Sequence, residues 1–153
     1  MATIEFKDYI IDKMQYQEND NYDHESDSLD VGVEFSASVA YEKNKGIVIL
    51  MVALGDESNV QCPFTVYTSI KGIFEYELEN EEEESEKDDL RELMSTNAIA
   101  ILYPYLRSVV SDITLRANNY PVFVLPVVNV VEMMKKENSI NIIDLDALEN
   151  KDE

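Results

Sequence analysis

A chain of 153 residues is one ordinary domain in length, long enough to bury about 68–70 % of its unfolded surface without disulfides or metals. Apolar residues make up 45 % of it, which excludes a wholly disordered chain. With 32 acids against 12 bases the net charge is −20, so the surface repels nucleic acid and anionic membranes and attracts basic partners.

The single Cys62 has no partner for an internal disulfide, so nothing asks for an oxidising compartment. The opening Met1-Ala2-Thr3-Ile4-Glu5-Phe6-Lys7-Asp8 lacks a basic stretch followed by an apolar one, so no signal peptide is expected. No apolar run approaches ~18 residues, and no membrane insertion is expected. A cytoplasmic location follows as the default. The charge is concentrated: residues 1–30 carry nine acids and two bases, residues 75–92 eleven and two, residues 137–153 six and one, leaving +1 for the rest. A nearly neutral body therefore carries three acidic segments, and Glu81-Glu82-Glu83-Glu84 reads as a solvated link or as a docking surface for a basic partner.

In chain order, Ile4 to Tyr16 reads as a first, irregular strand, and residues 17–28 as an acidic loop. Val31, Val33, Phe35, Ala37, Val39 and Tyr41 alternate with polar or small residues, the mark of a half-buried strand. Lys43-Asn44-Lys45-Gly46 supplies turn chemistry for a hairpin. The return strand Ile47 to Leu54 is apolar on both faces, which predicts cover on both. Gly55-Asp56-Glu57-Ser58 turns the chain again. Alternation resumes at Val60, Cys62, Phe64, Val66, Thr68 and Ile70, with Gly72 predicting a bulge or bend before Ile73, Phe74, Tyr76 and Leu78.

Past the acidic block, apolar residues from Leu90 to Ala117 recur at three and four, an amphipathic helix with a kink or restart expected at Pro104. Asn118-Asn119 ends it. Tyr120 to Val128 holds Pro121 and Pro126 and reads as an extended segment crossing the body. Asn129 caps a short last helix, Val130 to Glu137, and Ile140, Ile142, Ile143, Leu145 and Leu148 follow in an acidic tail. The pattern predicts an α+β fold: a four-stranded antiparallel sheet, a long helix, a proline-containing crossover and a short C-terminal helix. Residues 1–137 form one domain in this reading and 138–153 its tail.

No catalytic constellation is present in the sequence. His24 lies in a polar loop with no Cys or second His, so neither a zinc site nor a Cys–His pair is expected. Asp23, Glu25, Asp27 and Asp30 lack the Gly and the bidentate Glu of a calcium loop. The four glycines are scattered singly, with no phosphate-binding loop. Cys62, before Pro63, reads as a small buried hydrophobe. No cofactor and no metal are expected. What stands out is apolar and adaptable: Tyr120, Val122, Phe123, Val124 and Leu125 on the two-proline segment, Met133 and Met134 after it. Such residues suit a surface that accepts many sequences, or simply pack the segment onto the sheet.

Ile101-Leu102-Tyr103-Pro104-Tyr105-Leu106-Arg107, then Leu115-Arg116-Ala117, then Tyr120-Pro121 with Asn129, resemble the SecB family of protein-export chaperones. That family shows a hydrophobic–Pro-Tyr-x-Arg segment in its long helix, a Ser-Arg-Gly end, a Phe-Pro and a Pro-Val-Asn. Lys71-Gly72-Ile73-Phe74 resembles its Gly-Gly-Ile-Phe, at the right distance upstream. Departures are Ala117 in place of the Gly, one inserted residue between Arg116 and Pro121, and Pro126 one place early relative to Asn129. The acidic residue of the family's docking surface for the export motor ATPase falls on Tyr67.

The resemblance implies an ATP-independent holdase, not an enzyme, assembled as a homotetramer built as a dimer of dimers. It would hold unfolded polypeptide clients, with the export motor ATPase as a further partner. By the same analogy Tyr120, Phe123, Leu125, Val130, Met133 and Met134 line the client groove, and Leu102, Leu106, Val109 and Ile113 face another subunit. The alternative on the same fold is a non-chaperone regulator holding one dedicated basic or antitoxin-like partner through the acidic segments.

Overall fold

A computed structural model of the chain describes residues 1–146; Leu148 of the expected tail lies outside the described residues. Strands β1 (Thr3–Glu18), β2 (Val33–Glu42), β3 (Lys45–Leu54) and β4 (Phe64–Glu77) are followed by helices α1 (Glu84–Ser95), α2 (Asn97–Ala117) and α3 (Val130–Lys136), and by β5 (Ile140–Asp144). The expected α+β order is present. The sheet has five strands rather than four, in the order β1-β4-β3-β2-β5. All neighbours are antiparallel except β5, which runs parallel to β2 from Ala37↔Ile140 to Tyr41↔Asp144. Residues 140–144 were expected in an acidic tail; their short apolar alternation is strand chemistry that acidic composition obscured.

The helices cover one face. Phe35, Ala37, Val39 and Tyr41 of β2, Val48, Leu50, Val52 and Leu54 of β3, and Val66, Ile70 and Phe74 of β4 are buried beneath Leu102, Leu106, Val110 and Met94. The expectation that both faces of β3 are covered fails within this chain: Ile47 is exposed and Ile49 and Met51 only half-buried.

Two glycines explain how closely the helices approach. A Cβ on Gly72 would stand 2.7 Å from both δ-methyls of Leu102, and one on Gly46 would collide with the ε-methyl of Met94. Gly72 is therefore a seat for α2 and not the expected bulge, for its register is regular on both sides. The irregularities lie opposite, in β1, where Lys7 and Asp12 are the extra residues. Gly46 likewise sits inside β3, and the hairpin turns through Lys43 and Asn44, both at positive φ.

β4 starts at Phe64, later than the alternation suggested. Val60 and Cys62 belong to a loop whose carbonyls are taken by the opposite acidic loop: Asn19 Nδ2 donates to Cys62 O at 2.8 Å, Asn19 N to Pro63 O at 2.9 Å and Asp23 N to Val60 O at 2.8 Å. Cys62 is fully buried there, its thiol 3.1 Å from Phe64 O.

The long helix breaks at Thr96, not at Pro104. Thr96 Oγ1 donates to Glu92 O at 2.6 Å while its backbone leaves helical geometry, so a local hydroxyl bond replaces the helical one. Pro104 removes only the bond to Ala100 O, and both residues are exposed, so the carbonyl is left within reach of solvent. By length and composition the stretch Glu84–Ala117 could cross a membrane; here half of its apolar window is buried in the domain.

Candidate functional site

Residues 118–129 cross the molecule without regular structure, so their backbone groups need partners from elsewhere. One face of α2 supplies them. Tyr103 Oη donates to Pro126 O, Arg107 Nε to Leu125 O at 3.0 Å and Ser111 Oγ to Phe123 O at 3.4 Å, while Phe123 N donates to Thr114 Oγ1 at 3.0 Å. Spacings of four, four and three put these four side chains in one row along the helix. The row acts as a polar rail, holding an extended segment that two prolines bar from a ladder of its own. Tyr103 and Arg107 carry part of the family resemblance, but their role as a rail was invisible until the crossover was placed beside them.

With its backbone held, the crossover presents apolar side chains outward. Val122, Val124, Val127 and Val128 are exposed, Val127 at 86 %. The strip continues onto α3, whose Met133 is 36 % exposed. Asn129 caps α3, accepting from Glu132 N at 3.1 Å. The six groove candidates divide. Leu125, Val130 and Met134 are buried in the domain core; Tyr120 and Phe123 are half-buried; Met133 is exposed. Tyr120 closes one end of the strip against Phe64 and Tyr22, ring centroids 5.8 and 6.2 Å away, and burial pushes its phenol up. Val122 and Val124 stand out in the sequence as adaptable residues of the two-proline segment; Val127 and Val128 do not, because valines beside a proline read equally as core. Beyond α3, a cleft of about 610 Å³ lies between the helix break and α3, lined by Thr96, Asn97, Ile101, Val131, Glu132 and Lys135.

The interface candidates Leu102, Leu106, Val109 and Ile113 are all buried against their own sheet. The residues that α2 leaves exposed are Ile101, Tyr105 and Leu115 instead, and the edge strand β1 leaves Ile11 and Met14 exposed. Tyr105 packs on Tyr9 and Phe6 at 4.5 and 5.5 Å. Tyr67, on the open sheet face, donates to Met51 Sδ at 3.2 Å with Lys13 Nζ 5.1 Å above its ring. His24 stands edge-on to Tyr22 in the exposed loop. Among the described residues no group of three or more His, Cys, Asp or Glu is placed to hold a metal ion.

A second cavity, about 930 Å³ and polar, opens between α1, the β2–β3 turn and the end of β5. Tyr41 and Tyr76 meet edge-to-face at 6.0 Å on its floor, and its wall carries both signs of charge, Glu77, Glu81, Glu84 and Asp88 with Lys43, Lys87 and Arg91. Burial, before any other cause, pushes the Tyr76 phenol up to about 12.

An α+β domain carrying an apolar strip on a braced, extended segment is a binding architecture. The family model of SecB, the preprotein translocase subunit, matches residues 7–140, and the chain belongs to the SecB family, a non-enzymatic chaperone family. An uncharacterized protein of Methanocaldococcus jannaschii (MJ0357) is 29 % identical over 148 residues, covering 90 % of each chain. The fold is similar to that of the SecB-like chaperone Rv1957 of Mycobacterium tuberculosis, solved in complex with a ChAD peptide from the Rv1956 HigA1 antitoxin. That match has TM-score 0.63 and 23 % identity over 82 % of this chain and 87 % of that one. A protein of unknown function from Streptococcus agalactiae is also similar, with TM-score 0.50 and 14 % identity over 82 % of this chain and 98 % of that one.

Proposed function

We propose that the chain is an ATP-independent holdase that keeps client polypeptides unfolded on the apolar strip formed by the crossover and α3. The observation that carries this reading is the pairing of the α2 rail with the exposed valines and Met133: four backbone groups of the crossover are held from behind, so the apolar side chains between them face outward. Tyr120 and Phe123 border the strip, and Leu125, Val130 and Met134 form its floor, reached by a client only where the strip opens. The thioether of Met133 suits varied clients. Net charge −20 favours clients with basic stretches and keeps the laden assembly dispersed. The chain acts in the cytoplasm as a homotetramer, a dimer of dimers, and without bond chemistry. Its clients are export precursors; the Tyr67 position weighs against routine docking of the export motor ATPase.

The test is refolding of a chemically unfolded precursor, without ATP and at about 150 mM salt. The wild type slows refolding at stoichiometric amounts, and Phe123→Ser with Val124→Ser and Met133→Ser abolishes the slowing. Unchanged refolding with several unrelated clients overturns the reading. The polar cavity, where six acids outnumber Lys43, Lys87 and Arg91, favours one second reading, a regulator that holds a single basic or antitoxin-like partner by charge; its binding collapses with salt and ignores the apolar substitutions.

A further inference from the structure

The strand β5 is the odd member of the sheet. It is the one parallel pairing among the described strands, spans five residues, and none of the five is fully buried. Only Ile140 and Ile142 pack against the core, while Ile143 points to the open face and is exposed. It follows α3 through a turn with Asn138 at positive φ, and Ser139 O accepts from Ala37 N at 3.0 Å. At its far end Asp146 Oδ2 accepts from Lys43 N at 3.0 Å and from Tyr76 Oη at 3.4 Å. A short parallel edge strand whose core-facing residues, Ile140 and Ile142, are only half-buried is among the first parts of a domain to open.

Its removal would expose the edge of β2 from Ala37 to Tyr41. That edge offers unpaired backbone groups beside a row of apolar side chains, Ala37, Val39 and Tyr41, and α3 packs on the same strand. We propose that this edge is a strand-docking site for extended client segments, and that Ile140–Asp144 is a tethered competitor that keeps it closed. The chain itself shows what fits: an extended segment with an apolar side chain at every second position, as in Ile140-Asn141-Ile142. Backbone hydrogen bonds give affinity there for almost any sequence, which is the kind of recognition a chaperone of many clients needs. Where such a segment runs on past Tyr41 it reaches the polar cavity lined by Glu77, Glu81, Glu84 and Asp88 together with Lys43, Lys87 and Arg91, so polar residues are accommodated at that end. This inference rests on the holdase reading and adds a second site to it.

Ser38 and Asn141 are Cα partners on the open face, so their strand spacing of about 4.8 Å suits a disulfide. In the full-length chain carrying Ser38→Cys and Asn141→Cys, oxidation locks β5 down; Cys62 is buried and stays out of the pairing. The probe is reduced, carboxymethylated lactalbumin, which no reductant alters. The locked form is expected to bind it about tenfold more weakly than the same protein after reduction, because the competent fraction is removed. Full-length Ile140→Asn with Ile142→Asn, which loosens β5, is expected to bind it severalfold more tightly than wild type. Equal affinity of locked and reduced forms, with the wild type binding normally, overturns this inference alone. No binding by the wild type overturns the holdase reading together with it.

Discussion

Glu86 sits in the densest acidic stretch of the chain, yet it is 4 % exposed where its neighbours are in water. Its carboxylate takes the N-terminal ammonium of Met1 and the amides of Asn80 and Glu79, the last at 3.3 Å. The ammonium first, then the Asn80 amide, hold its carboxyl below the usual carboxylate range. A lowered folded pKa means that the stabilisation is present above the unfolded value, 4.5, and is lost as pH falls below it. Glu86→Gln is expected to lower Tm at neutral pH while exposed Glu82→Gln does not, and the gap closes in melts run at about pH 3. In the sequence Glu86 is one of eleven acids between 75 and 92, and nothing local separates it from the rest. Gly72 is the second case. With Leu102 methyls 2.7 Å from where a Cβ would be, Gly72→Ala is expected to cost about 1–3 kcal/mol by overpacking. Adding Leu102→Ala should make the double mutant less unstable than the sum of the singles, measured by urea denaturation.

Among the elements, the crossover is the one whose position depends on side chains of another. Tyr103→Phe deletes its bond to Pro126 O and is expected to cost about 1 kcal/mol. Amide exchange should quicken at Phe123, whose N–H is held by Thr114 Oγ1, before it does in the sheet. Asn129→Ala removes the α3 cap, a loss of about 1 kcal/mol by denaturant midpoint, with weaker client binding because Met133 loses its fixed place. The strands and helices were legible because their apolar period is 2 or 3.6, and the crossover because two prolines forbid both. The break at Thr96 was not. A proline is a visible interruption, whereas a threonine that turns its hydroxyl back to Glu92 O is only an ordinary helix residue until its backbone is placed. β5 hid for a similar reason: Ile140 to Asp144 has strand alternation, but a five-residue run in an acidic context gains its strand state from the edge of β2.

At the scale of the molecule, the sheet has one covered face and one open one, and β1 lies at an edge with Ile11 and Met14 exposed, as Tyr105, packed on Tyr9 and Phe6 of that strand, is too. An exposed apolar edge of this kind asks for a partner. Light scattering is expected to give four copies of the 17.5 kDa chain, about 70 kDa. Tyr105→Asp is expected to lower that mass, whereas a monomer mass for the wild type would overturn the assembly. Leu102, Leu106, Val109 and Ile113, expected at such an interface from the resemblance, are instead buried under their own sheet. A helix's apolar stripe looks the same in sequence whether it meets its own sheet or another subunit, since both bury it equally.

Composition, period and the proline-centred motifs by themselves determined the α+β order, the concentration of charge and the SecB resemblance, because each is a property of neighbours along the chain. The tertiary structure alone decided which glutamate is structural, which valines face outward, where the long helix breaks and that residues 140–144 close the sheet. Each of these depends on which residues distant in sequence meet, so that the same side chain is solvated or buried, and the same backbone paired or free, according to what the fold brings beside it.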